Sequence, residues 1–190
     1  MSVPEGSKQQ TTGQYDIFDR GIPEISSARL TLGPIRERDI ADFARLIEDR
    51  ERNRYWGYDD LAAFGNDTRP ERFYEDAMQD FADRQEARFA VRLDDRLIGE
   101  ATLHHFEGNV SCEIGVRIEE TYAGRGYGAE VYDALSEWLF ANCGLQYVRS
   151  RCIKGNTACE RVLKNSPDTQ LVKEDDRFYY CIRVPRHDVS

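Results

Sequence analysis

A chain of 190 residues, 40% of them hydrophobic, can bury one substantial core, and nothing in it calls for a second domain. Its formal net charge of −9 argues against a nucleic-acid partner, whose phosphates need a basic surface, and is compatible with a cationic substrate attracted over distance. There is no apolar run of membrane-spanning length and no secretory pattern at the start, and the five cysteines at 112, 143, 152, 159 and 181 include no Cys-x-x-Cys pair. They read as reduced thiols of a cytoplasmic protein rather than zinc ligands or disulfides.

Residues 1–26 are polar and aperiodic and are expected to be a flexible leader, although Tyr15, Ile17, Phe18 and Ile22 offer docking groups. Residues 27–190 are expected to form the single domain. Alternation from Ala28 to Ile35 predicts a first strand, and Ile40, Phe43, Ala44 and Ile47 then follow helical spacing. Thr68-x-x-Glu71 reads as a capping box before a second helix with Phe73, Ala77 and Phe81 on one face. Phe89, Val91 and Leu93 alternate up to the turn signal Asp94-Asp95, and Leu97 to Phe106 answers as the second arm of a hairpin. His104 and His105 are adjacent on that strand and so expected to point to opposite faces, which leaves no metal site.

A strand from Val110 to Ile118 runs into Tyr122-Ala123-Gly124-Arg125-Gly126-Tyr127-Gly128-Ala129, and the turn opens into a helix with Val131, Leu135, Trp138 and Leu139 on its apolar face. Gly144 stands where a left-handed cap would end it. A helix start leaves backbone N–H groups without internal partners and partly positive, and glycines let the backbone close on an anion. The turn is therefore a candidate pyrophosphate cradle. Gly124, Gly126 and Ala129 also fit the G-x-G-x-x-G/A spacing of dinucleotide sites. That reading needs an acidic residue at the end of the next strand, but the strand from Tyr147 to Ile153 ends in Lys154. A helix beginning near Thr157 and a hairpin, Gln170–Glu174 with Phe178–Val184, complete the chain.

The glycine-rich segment resembles the acyl-CoA-binding motif of the GCN5-related N-acetyltransferases, (Gln/Arg)-x-x-Gly-x-(Gly/Ala). Gly126 and Gly128 stand at its two small positions and Ala123 where Gln or Arg is usual. Asn156-Thr157-Ala158-Cys159-Glu160-Arg161-Val162-Leu163 is similar to the Asn-x-Ala-Ser-x-x-x-Leu helix start of the same superfamily. The order β-α-α-β-β-β-α-β-α-β-β is the order that resemblance implies: an α/β (α+β) fold with a mixed, mostly antiparallel sheet flanked by helices. Glu113-Ile114-Gly115, Tyr122 and Gly126-Tyr127 look most like the branch of ribosomal-protein N-terminal and spermidine N-acetyltransferases. Arg54-Tyr55-Trp56 resembles a short segment of the latter.

The resemblance implies transfer of an acetyl group from acetyl-CoA to an amine. Backbone groups of Val116, Arg117 and Ile118 would hold the pantetheine and thioester, and an N–H there would stabilise the oxyanion. The amides from Ala123 through Gly124, Arg125, Gly126, Tyr127 and Gly128 to Ala129 would take the pyrophosphate. Arg125 would add charge there, and Asn156 would bond the cofactor's arm.

An aliphatic ammonium, with a pKa near ~10, must lose a proton before attack. Glu113 is the leading catalytic candidate to accept it, with Glu100 and His104 on the neighbouring strand as alternatives. Glu100, Tyr55 and Trp56 are candidate substrate contacts, with Asp59 and Asp60 as receivers of distant ammonium groups and Tyr58 as a further aromatic. The superfamily's general-acid Tyr is replaced by Leu163, and Asn165-Ser166-Pro167-Asp168 stands for its Lys-x-Gly-Phe. Two classes stay open: an acetyltransferase acting on a polyamine-like amine or a peptide N-terminus, and a non-catalytic acyl-CoA-binding sensor or assembly module. Dimers are frequent in the branch resembled, so a homodimer is a further expectation.

Overall fold

The computed structural model describes residues 14–49, 53–56 and 69–186. Eight strands form one sheet: β1 (Ile25–Ser26), β2 (Leu30–Pro34), β3 (Glu86–Leu93), β4 (Arg96–Glu107), β5 (Ser111–Ile118), β6 (Tyr147–Ile153), β7 (Thr169–Glu174) and β8 (Phe178–Arg183). Their spatial order is β1-β2-β3-β4-β5-β6-β8-β7. Every pair is antiparallel except β5 with β6, which are joined by a helical crossover.

Among the described residues, five α-helices of a turn or more flank the sheet: α1 (Ile17–Arg20), α2 (Ile40–Glu48), α3 (Pro70–Ala82), α4 (Tyr127–Cys143) and α5 (Thr157–Asn165). On one face, Val131, Leu135 and Leu139 of α4 pack with Phe89, Ala101, Leu103, Cys112, Ile114 and Val148. On the other, Phe43 and Leu46 of α2 and Ala77 of α3 cover Ala90 and Leu97. The element order expected from the sequence is thus found from β2 onward. Gly144 ends α4 with φ +64°, a left-handed cap that a glycine adopts without steric cost.

Two expectations change. Of the expected leader, residues 14–26 are docked: Ile17 is buried, Phe18 stacks on Phe81 and Phe106, Tyr15 meets Trp138 edge-on, and β1 pairs with β2. Apolar groups spaced without periodicity still bury when the sheet offers them an uncovered end. Thr68 of the expected capping box lies outside the described residues. In α3 the N-cap is Arg69, with no side-chain bond, and Pro70 supplies the first helical position, where its missing N–H costs nothing.

Candidate active site

Strands β5 and β6 pair only from Ser111–Tyr147 to Glu113–Arg149. Beyond Glu113 they part, and a cavity of about 430 Å³ opens between Ile114–Ile118 and Ser150–Ile153. Its remaining walls are the glycine-rich turn and first turn of α4, the start of α5, and Tyr55 and Trp56. The splay leaves the β6-facing side of Val116, Arg117 and Ile118 without a neighbouring strand. That edge can pair with an extended ligand in place of a strand.

The turn is shaped by its glycines. Gly124 and Gly126 have φ of +74° and +82°, and a Cβ built on Gly124 would meet nothing within 4 Å. Gly126 is the N-cap of α4 and carries no side chain to cap it. The N–H groups of Tyr127, Gly128 and Ala129, which have no intrahelical partners by their position, therefore stand uncapped at the cavity wall. Coenzyme A fits this geometry: a bare backbone, an uncapped helix start and an apolar trough leading to an unpaired strand edge.

The polar groups around the cradle differ from expectation in two respects. Arg125 folds back, its guanidinium donating to the Thr121 carbonyl (3.2 Å) and stacking on Tyr122, and it does not line the cavity. Its place beside the cradle is taken by Arg29, which donates to the Arg125 carbonyl (3.0 Å) and stacks on Tyr127. One Arg29 nitrogen lies 3.5 Å from where a Cβ on Gly126 would stand. Glu130 holds Arg29 through Nε and the backbone N–H, both at 2.7 Å, and accepts from Ser27 at 2.6 Å. Asn156 does line the cavity, but its carboxamide oxygen caps α5, accepting from the Cys159 N–H at 3.1 Å. Its amide nitrogen is the donor left to face a cofactor.

The opposite face of β5 is polar. Strand register sets Glu86, His104 and Glu113 in one row, Arg88, Thr102 and Gly115 in the next, and Ala90, Glu100 and Arg117 in a third. Gly115 is required here: a Cβ would lie 2.8 Å from Thr102 Oγ1 and 3.0 Å from the Trp56 ring, which occupies that space. Trp56 also lies under the Arg117 guanidinium, and the Tyr55 hydroxyl donates across the cleft to the Gly155 carbonyl (3.4 Å). Both aromatics thus form part of the cavity wall. Asp59, Asp60 and Tyr58 lie outside the described residues.

Glu100 is corrected. It is 0% exposed, and its carboxylate is bonded to the Arg117 guanidinium, which also donates to the Leu46 carbonyl (3.2 Å) and to Asn53. Alternation placed it on the substrate face but could not show that α2 covers that end of the face. It contributes a buried ion pair, not a substrate contact.

Glu113 is 14% exposed and sits at the mouth of the splay. Its Oε1 accepts from Arg151 Nε (2.9 Å) and lies 3.5 Å from His104 Nε2, while Oε2 lies 3.3 Å from His105 Nδ1. Burial pushes its carboxyl up, but the bond with His104 and the Arg151 guanidinium outweigh this and hold it at about 2. So weak a base is poorly matched to an ammonium proton and well matched to holding a cation.

The histidines also depart from expectation. His105 has φ +50°, at a register shift between His104 and Glu107, and this bulge turns both rings to the Glu113 side. Their centroids are 4.7 Å apart.

Residues 29–166 match the protein family described as the acetyltransferase (GNAT) domain, about three quarters of the chain. The chain belongs to the GNAT acetyltransferase family. Among solved structures, a GNAT-family acetyltransferase from Bacillus anthracis superposes with a TM-score of 0.72 at 20% identity, covering 85% of this chain and 98% of its own. The spermidine N-acetyltransferase of Vibrio cholerae, in complex with CoA and spermine, gives 0.68 at 16% identity, over 83% and 96%. The ribosomal L7/L12 alpha-N-protein acetyltransferase RimL, in complex with coenzyme A, gives 0.67 at 15%, over 85% and 98%. At these identities the likeness establishes the GNAT fold; two of these three structures hold coenzyme A.

Sequence reading missed Arg29, which lies 96 residues from the carbonyl it bonds. It also missed that Cys152 and Cys159 both stand on the cavity wall, where the Cys152 thiol donates to the Ile153 carbonyl (3.5 Å). The Asn-x-x-Cys helix start was the available signal for the second of these thiols; nothing local pointed to Arg29.

Proposed function

We propose that this GNAT protein transfers the acetyl group of acetyl-CoA to a single primary amine, with a peptide N-terminus as the acceptor class. The observation that carries this is the splay itself: one uncapped helix start and one unpaired strand edge meet in a cavity that opens just beyond the last β5–β6 pair, Glu113 with Arg149. Acetyl-CoA supplies the activated acetyl thioester. Backbone amides from Gly124 to Ala129, with Arg29 beside Gly126, hold the pyrophosphate; the Ala123 N–H, expected among them, is instead spent on the Glu120 carbonyl (3.0 Å). The free edge of Val116, Arg117 and Ile118 holds the pantetheine. The Asn156 amide nitrogen donates to the cofactor's arm. A backbone N–H at the edge polarises the thioester carbonyl, as the fold's geometry allows. Glu113 receives and orients the acceptor amine, whose proton leaves to water in the open cleft, and Trp56 and Tyr55 limit where the amine can stand.

The charge balance supports a single amine over a polyamine. Among the described residues, each carboxylate of the polar face has a cationic neighbour: Arg117 for Glu100, Arg88 for Glu86 and Arg151 for Glu113. A polyamine needs a surplus of carboxylates, which the described residues of this face do not offer.

The test is thiol release from acetyl-CoA with a short peptide and with spermidine, on the wild type and on Glu113→Gln. The peptide is expected to be acetylated. The substitution is expected to lower kcat/KM for the amine by roughly 30-fold, about 2 kcal/mol for one charge-assisted contact. Acetyl-CoA affinity should stay within about twofold. Equal loss of both would remove Glu113 from the acceptor side. Tight acetyl-CoA binding with no amine acetylated would leave the sensor or assembly reading in its place.

A further inference from the structure

His104 and His105 have no role in the transfer described above, and the cluster they form with Glu113 has a geometry unusual for a strand. A histidine with φ +50° is held in a sparsely populated conformation that the surrounding structure must maintain. The consequence is that two consecutive strand residues present their rings to the same carboxylate. One atom from each of the three side chains lies within 4.8 Å of the others. We propose that these residues form a binding site for a zinc-class divalent cation, seated at the acceptor side of the splay.

One separation matches that ion as it stands. Ligands about 2.0–2.2 Å from a tetrahedral zinc stand roughly 3.3 Å from one another, and His105 Nδ1 is 3.3 Å from Glu113 Oε2. The three ligand atoms all lie within 4.8 Å of one another, so seating the ion draws the His104 ring slightly inward. Two imidazoles and a carboxylate suit zinc and its transition-metal neighbours better than calcium or magnesium.

The groups behind the ligands are arranged as a metal site requires. His104 points Nε2 at the cluster and Nδ1 at the Thr102 hydroxyl (3.3 Å) and the Glu86 carboxylate (3.9 Å), which fixes its ring. Arg151 holds Oε1 of Glu113, leaving Oε2, the oxygen facing His105, to ligate. The guanidinium lowers the affinity by its charge while orienting the carboxylate. His105, 62% exposed, opens the site to solvent, so a cation can enter without disturbing the core. A bound cation would occupy the carboxylate assigned to the acceptor, so zinc would compete with the amine and not with acetyl-CoA. That consequence, unlike the site, rests on the proposed function.

Cobalt(II) is the probe, titrated into the full-length, reduced protein and read by its visible ligand-field absorption. Saturable binding of one ion per chain, without the intense near-ultraviolet band of a cobalt–thiolate bond, is the expected result. His105→Gly suits the positive φ and keeps the bulge while deleting a ligand. It and His104→Gln should each weaken binding at least ~10-fold. Zinc should displace the cobalt and raise the apparent KM for the amine in the wild type. Absence of saturable binding would overturn the site. So would a thiolate band, which would move the ion to Cys152 and Cys159, or unchanged affinity in both variants. Metal binding in a protein that acetylates nothing would leave the site standing and remove the proposed function. Acetylation without metal binding would do the reverse.

Discussion

Two helices begin on the wall of the same cavity, and they begin differently. At the start of α5 the Asn156 side chain satisfies the Cys159 N–H and holds it at 3.1 Å. At the start of α4 the cap is Gly126, with no side chain to offer, and Gly124 just before it also has a positive φ. A side-chain cap typically stabilises a helix by about 1 kcal/mol. Leaving α4 without one forgoes that stabilisation while keeping three N–H groups available to an anion. The comparison separates a helix start built for stability from one built for a ligand.

The largest effect is expected where the uncapped start is filled. Gly128 has ordinary helical geometry, and a Cβ there would meet Ile118 and Val162 at comfortable distances of 3.9 and 4.0 Å. Gly128→Asp should therefore fold, with Tm unchanged or slightly raised because a carboxylate at a helix start is favourable. Its acetyl-CoA affinity should fall by roughly 100-fold, about 2.7 kcal/mol, measured by calorimetric titration. A smaller effect is expected from Arg29→Met: about tenfold weaker acetyl-CoA binding, with less than about 1 kcal/mol lost in urea unfolding because the Arg29–Glu130 pair is partly exposed. The smallest is the converse case. Asn156→Ala should cost about 1 kcal/mol of stability by loss of the α5 cap, with a change in cofactor affinity well below that of Gly128→Asp. If Asn156→Ala and Gly128→Asp weakened acetyl-CoA binding equally, the two helix starts would not differ in the way described.

How much of this was legible depended on distance along the chain. The glycine-rich turn, the Asn156 helix start and the order of strands and helices are local patterns, and they stand where the sequence placed them. Glu100 was misread because alternation assigns a face and cannot say which end of it a helix covers. His104 and His105 were misread because one left-handed residue breaks the period-two rule, and no turn residue announces it. Arg29 reaches the cradle only once β2 has been laid beside α4, a contact invisible to any window. Ile17 and Phe18 sit in a polar segment without periodicity, and only the packed aromatic neighbours Phe81 and Phe106 explain why that segment is docked.

Backbone amide resonances followed through an acetyl-CoA titration test the assignment of the α4 start most directly. The amides of Gly124 to Ala129 should move furthest and saturate together with those of Val116 to Ile118, while the already bonded Cys159 amide moves less. Saturation of acetyl-CoA with those amides unmoved, or with the α5 start moving most, would contradict the assignment of the uncapped helix start as the pyrophosphate site.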